Sequence, residues 1–313
     1  MDYVKLGRTG LNVSVISLGA GGSSRLGMQT VKSEEQASEI VGKAVELGIN
    51  LIDTAEAYGT ENIVGAGLQG LNRKEVIIST KYSLQKDKLL KKPEDFEKSV
   101  DASLANLQTD YIDIYHLHGV HLKDYAYAAE YLVPEMIKMR EKGKIRFLGI
   151  TEAFGTDPSH LMAEQAVLDD CWDVMMIGFN LLNQSARDKI FTTTLAKDIG
   201  ILDMFAVRRA LSRPDALAEL VADLFAKGLL DENKIDRENG LDFLVHEHGA
   251  KSIMDAAYRF CRYEPGVHSV LMGTGNLQHL ADNIESANRP PLPEADIQRL
   301  KAIFAGIDSV TGN

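Results

Sequence analysis

Four residues of types that move protons recur in the first part of the chain: Asp53, Tyr58, Lys81 and His118. Asp53 ends the apolar run Ile49-Asn50-Leu51-Ile52, and Tyr58 follows in Thr54-Ala55-Glu56-Ala57-Tyr58-Gly59. Lys81 ends Val76-Ile77-Ile78-Ser79-Thr80, and His118 ends Tyr111-Ile112-Asp113-Ile114-Tyr115-His116-Leu117. A free phenol, ionising near pH ~10, is a poor proton donor at neutral pH, and an ammonium beside it favours the ionised form. Lys81 is the candidate for that charge, Asp53 the candidate to hold Lys81, and His118 the candidate to orient a substrate carbonyl or share the proton. Such a set is general-acid machinery that needs a nucleophile from elsewhere.

Strands must deliver these side chains. The stretch 49–53 is short, contains two Ile and lies between Gly48 and turn-forming residues, which predicts a buried strand. The same reading predicts strands over 15–19, 76–80, 111–117, 145–150, 173–178, 201–206 and 268–272. A helix opens at the capping box Ser33-Glu34-Glu35-Gln36, and others are expected near 61–70, 93–107, 127–142, 159–169, 185–198, 252–261 and 277–287. Strand and helix alternate, so the expected class is α/β and the natural closure a (β/α)8 TIM barrel, whose strand carboxyl ends carry catalysis. Tyr3-Val4-Lys5-Leu6 and Leu11-Asn12-Val13-Ser14 around Gly7-Arg8-Thr9-Gly10 predict an N-terminal β-hairpin. After the seventh strand comes a long segment, 207–250, in which Pro214 opens an Ala/Leu-rich helix near 215–227; it is a candidate lid. Division by ~150 residues would suggest two domains, but barrels of this size fold as one, so a single domain over residues 1–313 is expected.

A net charge of −11 and a pI near 5.3 argue against nucleic acid or an anionic membrane as the main partner. Cys171 and Cys261 give no disulfide framework, no export signal is visible, and no run reaches the about 18 apolar residues of a membrane span. Cytoplasm is the expected compartment.

Asp53-Thr54-Ala55-x-x-Tyr58-Gly59, Glu61-x-x-Val64-Gly65-x-x-Leu68, Ser79-Thr80-Lys81 and Asp113-x-Tyr115-x-x-His118 together closely resemble the signature of the aldo-keto reductase family. The resemblance runs from the first strand to Asn283. It implies a hydride from NADP(H) or NAD(H), with Tyr58 as acid/base, Lys81 and Asp53 as its tuners and His118 as carbonyl orienter. It implies a small-molecule carbonyl or sugar substrate, reduced or oxidised according to direction. It also implies cofactor contacts at Gly21, although Ala20-Gly21-Gly22 lacks the third glycine of a dinucleotide fingerprint, Ser24 standing there. Thr151 and Glu152 fall where the family has a Ser-Asn pair for the carboxamide, and Met176 falls where it has Gln. Phe205 is the nearest candidate to stack on the nicotinamide, and Arg208 and Arg209 suit a pyrophosphate. Gly273, Thr274, Gly275, His279 and Asn283 align with the adenosine-phosphate segment. Gly273 and His279 stand where basic residues clamp the 2′-phosphate, so a weaker NADPH preference than usual is expected, with NADH accepted.

Two other classes compete. His116, His118 and His121 form His-x-His-x-x-His, and alternate strand residues point the same way, so His116 and His118 could share a metal in a barrel metallohydrolase. That class favours a His pair after the first strand, so no metal is expected and His116 is read as a wall residue. A non-catalytic sensor or regulatory subunit that binds the nicotinamide cofactor is the other alternative. Tyr125 and Tyr127 could line a pocket or pack their loop. Substrate identity and oligomeric state stay open.

Overall fold

In a computed structural model, residues 1–22, 24–30, 33–87, 89–238 and 240–313 are described, Thr30 by its backbone alone. The hairpin forms from β1 (Tyr3–Lys5) and β2 (Asn12–Ser14). The barrel then uses β3 (Ile16–Gly19), β4 (Leu51–Asp53) and β5 (Ile77–Ser83). A small antiparallel pair follows, β6 (Gln85–Lys86) and β7 (Leu89–Leu90). The barrel continues through β8 (Ile112–Val120), β9 (Ile145–Glu152), β10 (Val174–Gly178), β11 (Gly200–Met204) and β12 (Ser269–Met272). Every neighbouring pair is parallel, and β12 pairs with β3 to close the ring. The expected (β/α)8 barrel and its hairpin are present.

Alternation along each strand separates two cores. Leu51, Ile77, Ile114, Val174, Met176 and Leu202 cluster with Leu6, Leu11 and Val13 of the hairpin. They are the lumen residues, plugged from below by the hairpin. Ile52, Ile78, Leu117, Ile150, Ile177 and Ile201 belong instead to the larger core beneath the helices. Parity therefore decides that Asp53, Lys81, His116, His118 and Thr151 face the lumen, whereas Glu152 faces outward. Asp113, also outward, accepts from Arg73 Nη2 (2.7 Å), Arg146 Nη1 (2.5 Å) and the Ile78 amide (3.0 Å). It ties three strands together.

The helical layer is α1 (Glu34–Glu46), α2 (Glu61–Gly67), α3 (Phe96–Leu107), α4 (Leu122–Tyr127), α5 (Val133–Glu141), α6 (Leu161–Ala166) and α7 (Thr192–Ala196). After β11 come α8 (Arg209–Ser212), α9 (Pro214–Ala226), α10 (Ile253–Arg262), α11 (Leu277–Asn288) and α12 (Glu294–Phe304). The α1 capping box forms as expected: Ser33 Oγ accepts from the Gln36 amide (3.2 Å), and Gln36 Oε1 accepts from the Ser33 amide (3.1 Å).

Four features differ from the sequence expectation. The helix expected over 127–142 is split by a wide π turn, Ala128–Leu132, ahead of α5. Pro134 explains the break, because it lacks the N–H and its ring crowds the carbonyl of the preceding turn. A second π turn, Arg187–Phe191, interrupts the helix expected over 185–198. Beyond the last expected helix lies α12, which buries Leu300, Ile303 and Phe304. The segment expected as a lid is folded onto the barrel body, with Val221, Leu224, Phe225, Leu241 and Leu244 in the main core. Among the described residues no helix is long and apolar enough to cross a membrane.

Candidate functional site

At the carboxyl end of β4, Asp53 is nine-tenths buried or more and receives two hydrogen bonds from β5. Ser79 Oγ donates to Oδ1 at 2.7 Å, and Lys81 Nζ donates to Oδ2 at 2.5 Å. Lys81 Nζ also donates to the Thr54 carbonyl at 2.7 Å. Register makes this inevitable: Asp53 pairs with Ser79, and two residues later Lys81 enters the same lumen. Burial pushes the Asp53 carboxyl up, opposed by the Lys81 ammonium. Burial would lower Lys81, but the Asp53 carboxylate and then the Tyr58 oxygen more than restore it, so it stands above its ordinary value. The two form a buried ion pair.

A short turn brings Tyr58 over this pair. Its amide donates to the Ala55 carbonyl (3.0 Å), and Gly59 ends the turn at φ +66, a conformation glycine adopts without penalty. Glu56 fixes the turn from outside by accepting from the Ser83 amide (2.7 Å) and pairing with Lys91. The Tyr58 ring lies flat on Gly21, where a Cβ would approach a ring carbon to 2.4 Å. Gly21, expected at the cofactor, is therefore the floor for this phenol. Lys81 Nζ lies 5.0 Å from the ring centroid, and the hydroxyl lies 3.3 Å from His118 Nε2. Burial, then the Lys81 charge, pushes His118 down to about 3, so its imidazole is neutral at working pH. The four expected acid/base residues share one corner of the rim.

Below them, His116 is fully buried in the lumen with both ring nitrogens unpartnered among the described residues. Its ring rests on Gly149, where a Cβ would meet Nδ1 at 2.2 Å. Burial and then Lys81 keep it neutral. Among the described residues no group of three or more His, Cys, Asp or Glu could hold a metal, so the His116/His118 pair has no third ligand. His116 lines the lumen wall below the rim.

On the opposite side of the rim, two expectations change. Glu152 leaves the carboxamide position: its outward carboxylate accepts from His160 Nδ1 (2.9 Å to Oε2) and the Gly178 amide (2.7 Å to Oε1). Met176 is packed in the lumen cluster, 3% exposed. Thr151 keeps its hydroxyl inward, accepting from the Gly119 amide at 2.6 Å. Phe205 is half-buried at the end of β11 with φ +71, and the Arg208 guanidinium lies over its ring at 4.2 Å. Burial lowers Arg208 from its ordinary value, opposed by the Tyr58 oxygen. Arg208 thus faces the mouth, whereas exposed Arg209 turns to Glu219 at 3.4 Å. Thr274 Oγ1 accepts from the Asn276 amide (3.0 Å), and Gly275 lets the chain pass Gly27, where a Cβ would meet its Cα at 2.3 Å. Gly273 lies close to the Gly19 and Gly21 carbonyls, His279 is exposed, and Asn283 is half-buried on α11. Tyr125 packs its loop: its hydroxyl donates to Asp169 (2.5 Å) and accepts from Trp172 Nε1 (3.1 Å). Tyr127 likewise donates to the Lys91 carbonyl, at 2.7 Å.

Sequence reasoning missed the chain terminus. Arg208 Nε donates to Asn313 Oδ1 (2.8 Å), the Ala210 amide donates to the Gly312 carbonyl (2.8 Å), and Asn180 Nδ2 bonds both the Phe205 and Thr311 carbonyls (3.2 Å each). Only long-range contacts make that link, and no local motif announces it.

A model of the family described as "Aldo/keto reductase family" matches residues 16–305. An L-galactose dehydrogenase of Arabidopsis thaliana is 38% identical over 152 residues, 47% of each chain. The match therefore spans about half the length of that relative. An uncharacterized oxidoreductase, YqkF, of Bacillus subtilis is 25% identical over 95% of both chains. An aldo-keto reductase of Bacillus halodurans, solved in its holo form, superposes over the full length of both chains with a TM-score of 0.75 at 22% identity, a likeness of fold.

Proposed function

The chain belongs to the aldo/keto reductase family, and from that premise we propose that it interconverts a small carbonyl and an alcohol with NADP(H) or NAD(H), Tyr58 giving and taking the proton. One observation carries the reading: a buried Lys81–Asp53 pair at 2.5 Å sits under a tyrosine whose hydroxyl is 3.3 Å from a neutral histidine. In the reductive direction the Tyr58 hydroxyl gives its proton to the carbonyl oxygen. The negative charge left on the phenol is met by the Lys81 ammonium, whose own position is fixed by Asp53 and the Thr54 carbonyl. Neutral His118 directs Nε2 to the same point and orients the oxygen without competing for the proton. In oxidation the roles reverse, with the phenolate taking the proton from an alcohol.

The rim opposite suits a dinucleotide. Phe205 offers a half-exposed aromatic ring at a strand end, Arg208 a partly buried guanidinium for pyrophosphate, and the Thr274-Gly275 turn a close backbone approach. When bound, the nicotinamide supplies the hydride. The L-galactose dehydrogenase relative makes a sugar or lactol the first substrate class to try. We read the chain as one domain, residues 1–313, acting in the cytoplasm, a compartment that suits the unpaired Cys171 and Cys261.

The test is nicotinamide absorbance with NADPH or NADH against a panel of aldehydes, and in reverse against aldoses, for the native protein and Tyr58→Phe. The expected result is turnover that falls at least about 10²-fold in the variant, the range removed with a general acid. Tight cofactor binding without turnover on any carbonyl or sugar would favour the sensor alternative instead.

A further inference from the structure

Glu152 stands where the family offers an amide to the cofactor, yet its side chain is fully buried on the outer side of the barrel wall. Its contacts lead back to the rim by another route. His160, also fully buried, sits at φ +66 ahead of α6 and donates Nδ1–H to the carboxylate. The Phe154 ring stacks on the His160 imidazole at 5.3 Å between centroids with planes 17° apart. Phe154 is seated on Gly178, where a Cβ would meet the ring at 2.3 Å, and Gly178 itself donates its amide to Glu152. The same phenyl ring then meets Phe205 edge to face at 5.2 Å and 86°. Phe205 occupies left-handed backbone that a bulky residue rarely adopts and keeps only where its surroundings hold it.

We infer that Glu152, His160 and Phe154 are positioning residues that set the ring of Phe205, so that this chain places the nicotinamide by a braced aromatic platform where the family uses an amide grip. The inference rests on the proposed role of Phe205 as that platform. Its physical basis is the rigidity of the chain. A carboxylate held by an imidazole and an amide cannot rotate, the imidazole it holds fixes the stacked phenyl, and edge-to-face packing fixes the next ring. Gly178 contributes to both ends, as donor to Glu152 and as the flat seat of Phe154.

The experiment measures dissociation constants of NADPH, NADH and ADP-ribose, which lacks the nicotinamide, by quenching of intrinsic fluorescence in the full chain. The variants are Phe154→Leu, Phe205→Leu, the two together, and Glu152→Gln as the mildest. Phe154→Leu is expected to weaken both dinucleotides about two- to tenfold, the worth of one aromatic pair, and to leave ADP-ribose unchanged. Combined with Phe205→Leu it should add little, because both act on one platform. Glu152→Gln should show a smaller loss of the same kind, with an unchanged melting temperature. Equal weakening of all three ligands, or full additivity of the two substitutions, would overturn the inference. So would a Phe154→Leu protein that binds normally while Phe205→Leu does not, which leaves the platform reading standing. A Phe205→Leu protein that binds both dinucleotides normally would overturn the platform itself, and the inference with it.

Discussion

The two sides of the barrel rim handle buried charge in opposite ways. From β4 to β8 four ionisable groups, Asp53, Lys81, His116 and His118, point into the lumen and crowd together, Asp53 and Lys81 neutralising each other, while Asp113 faces outward to Arg73 and Arg146. From β9 to β12 the lumen side of the strands carries Gly149, Thr151, Met176 and Gly178, while the acids face outward. There Glu152 is satisfied by His160 and Gly178, and fully buried Asp203 lies beside Cys261, its carboxyl pushed well up by burial. The first side keeps charge next to the reacting atoms. The second keeps its acids behind the wall and leaves an aromatic, weakly polar bed. A proton donor requires the first arrangement, and a flat nicotinamide ring suits the second.

That contrast is broken most directly at Asp53. Asp53→Asn leaves the Lys81 ammonium buried without a counter-charge, and removing one partner of a buried pair costs about 3–5 kcal/mol. Turnover should fall with it, by about 10²-fold or more, because Lys81 loses the group that fixes it. Adding Lys81→Met should recover most of the stability and none of the turnover. Denaturant unfolding and steady-state rates measure both. If Asp53→Asn unfolds with a loss below about 1 kcal/mol, the pair behaves as an exposed one and the contrast between the two sides fails.

A smaller effect separates the sides by pH. The folded protein keeps His118 neutral down to about 3, through burial and then Lys81, whereas the unfolded chain protonates it near its ordinary ~6.5. Between those values the unfolded state binds a proton that the folded state refuses, so stability falls as pH falls through about 6.5 towards about 3. One such group contributes up to about 1.4 kcal/mol per pH unit, and nothing is lost above the window. His116, depressed in the same direction, adds to the slope. His118→Gln should therefore lose less stability than the native protein between about pH 7 and about pH 5. Parallel slopes in urea titrations would show that the lumen histidines are not held neutral.

The same contrast explains what was legible in the sequence. The eight strands, the hairpin and the corner of Asp53, Tyr58, Lys81 and His118 follow from periodicity and from neighbouring strand ends. Parity also holds the orientation of Glu152: if Leu51, Ile77 and Ile114 face the lumen, Thr151 faces in and the next residue faces out. The reading from family positions alone missed this. Of the aromatic bed only Phe205 was legible, and its bracing was not. Phe154, His160 and Phe205 meet across loops, and Arg208 is held by Asn313 at 2.8 Å across 105 residues. No period or turn signal specifies such contacts. The π turn before Thr192 was hidden for a related reason, since it keeps an apolar helical pattern while changing the hydrogen bonding, whereas Pro134 marked the break before α5 in the sequence.

The smallest expected effect lies at the far end of the cofactor bed, on α11. There the Gln278 and His279 amides are already taken by Asn276 Oδ1, at 2.8 and 3.2 Å, so the helix start offers less to a phosphate than free amides would. His279 itself is exposed, and an imidazole lacks the permanent charge and fork by which a guanidinium holds phosphate. An arginine placed there would add a permanent charge and a fork that fits phosphate oxygens, at a solvent-exposed position where such contacts contribute about 0.3–1 kcal/mol. His279→Arg should then raise the ratio of kcat/KM for NADPH over NADH by about two- to fivefold, with little change for NADH alone. The native protein should use NADH comparably to NADPH. A strong native NADPH preference that His279→Arg leaves untouched would mean that another group clamps the 2′-phosphate, and that this end of the bed is more charged than the comparison between the two sides allows.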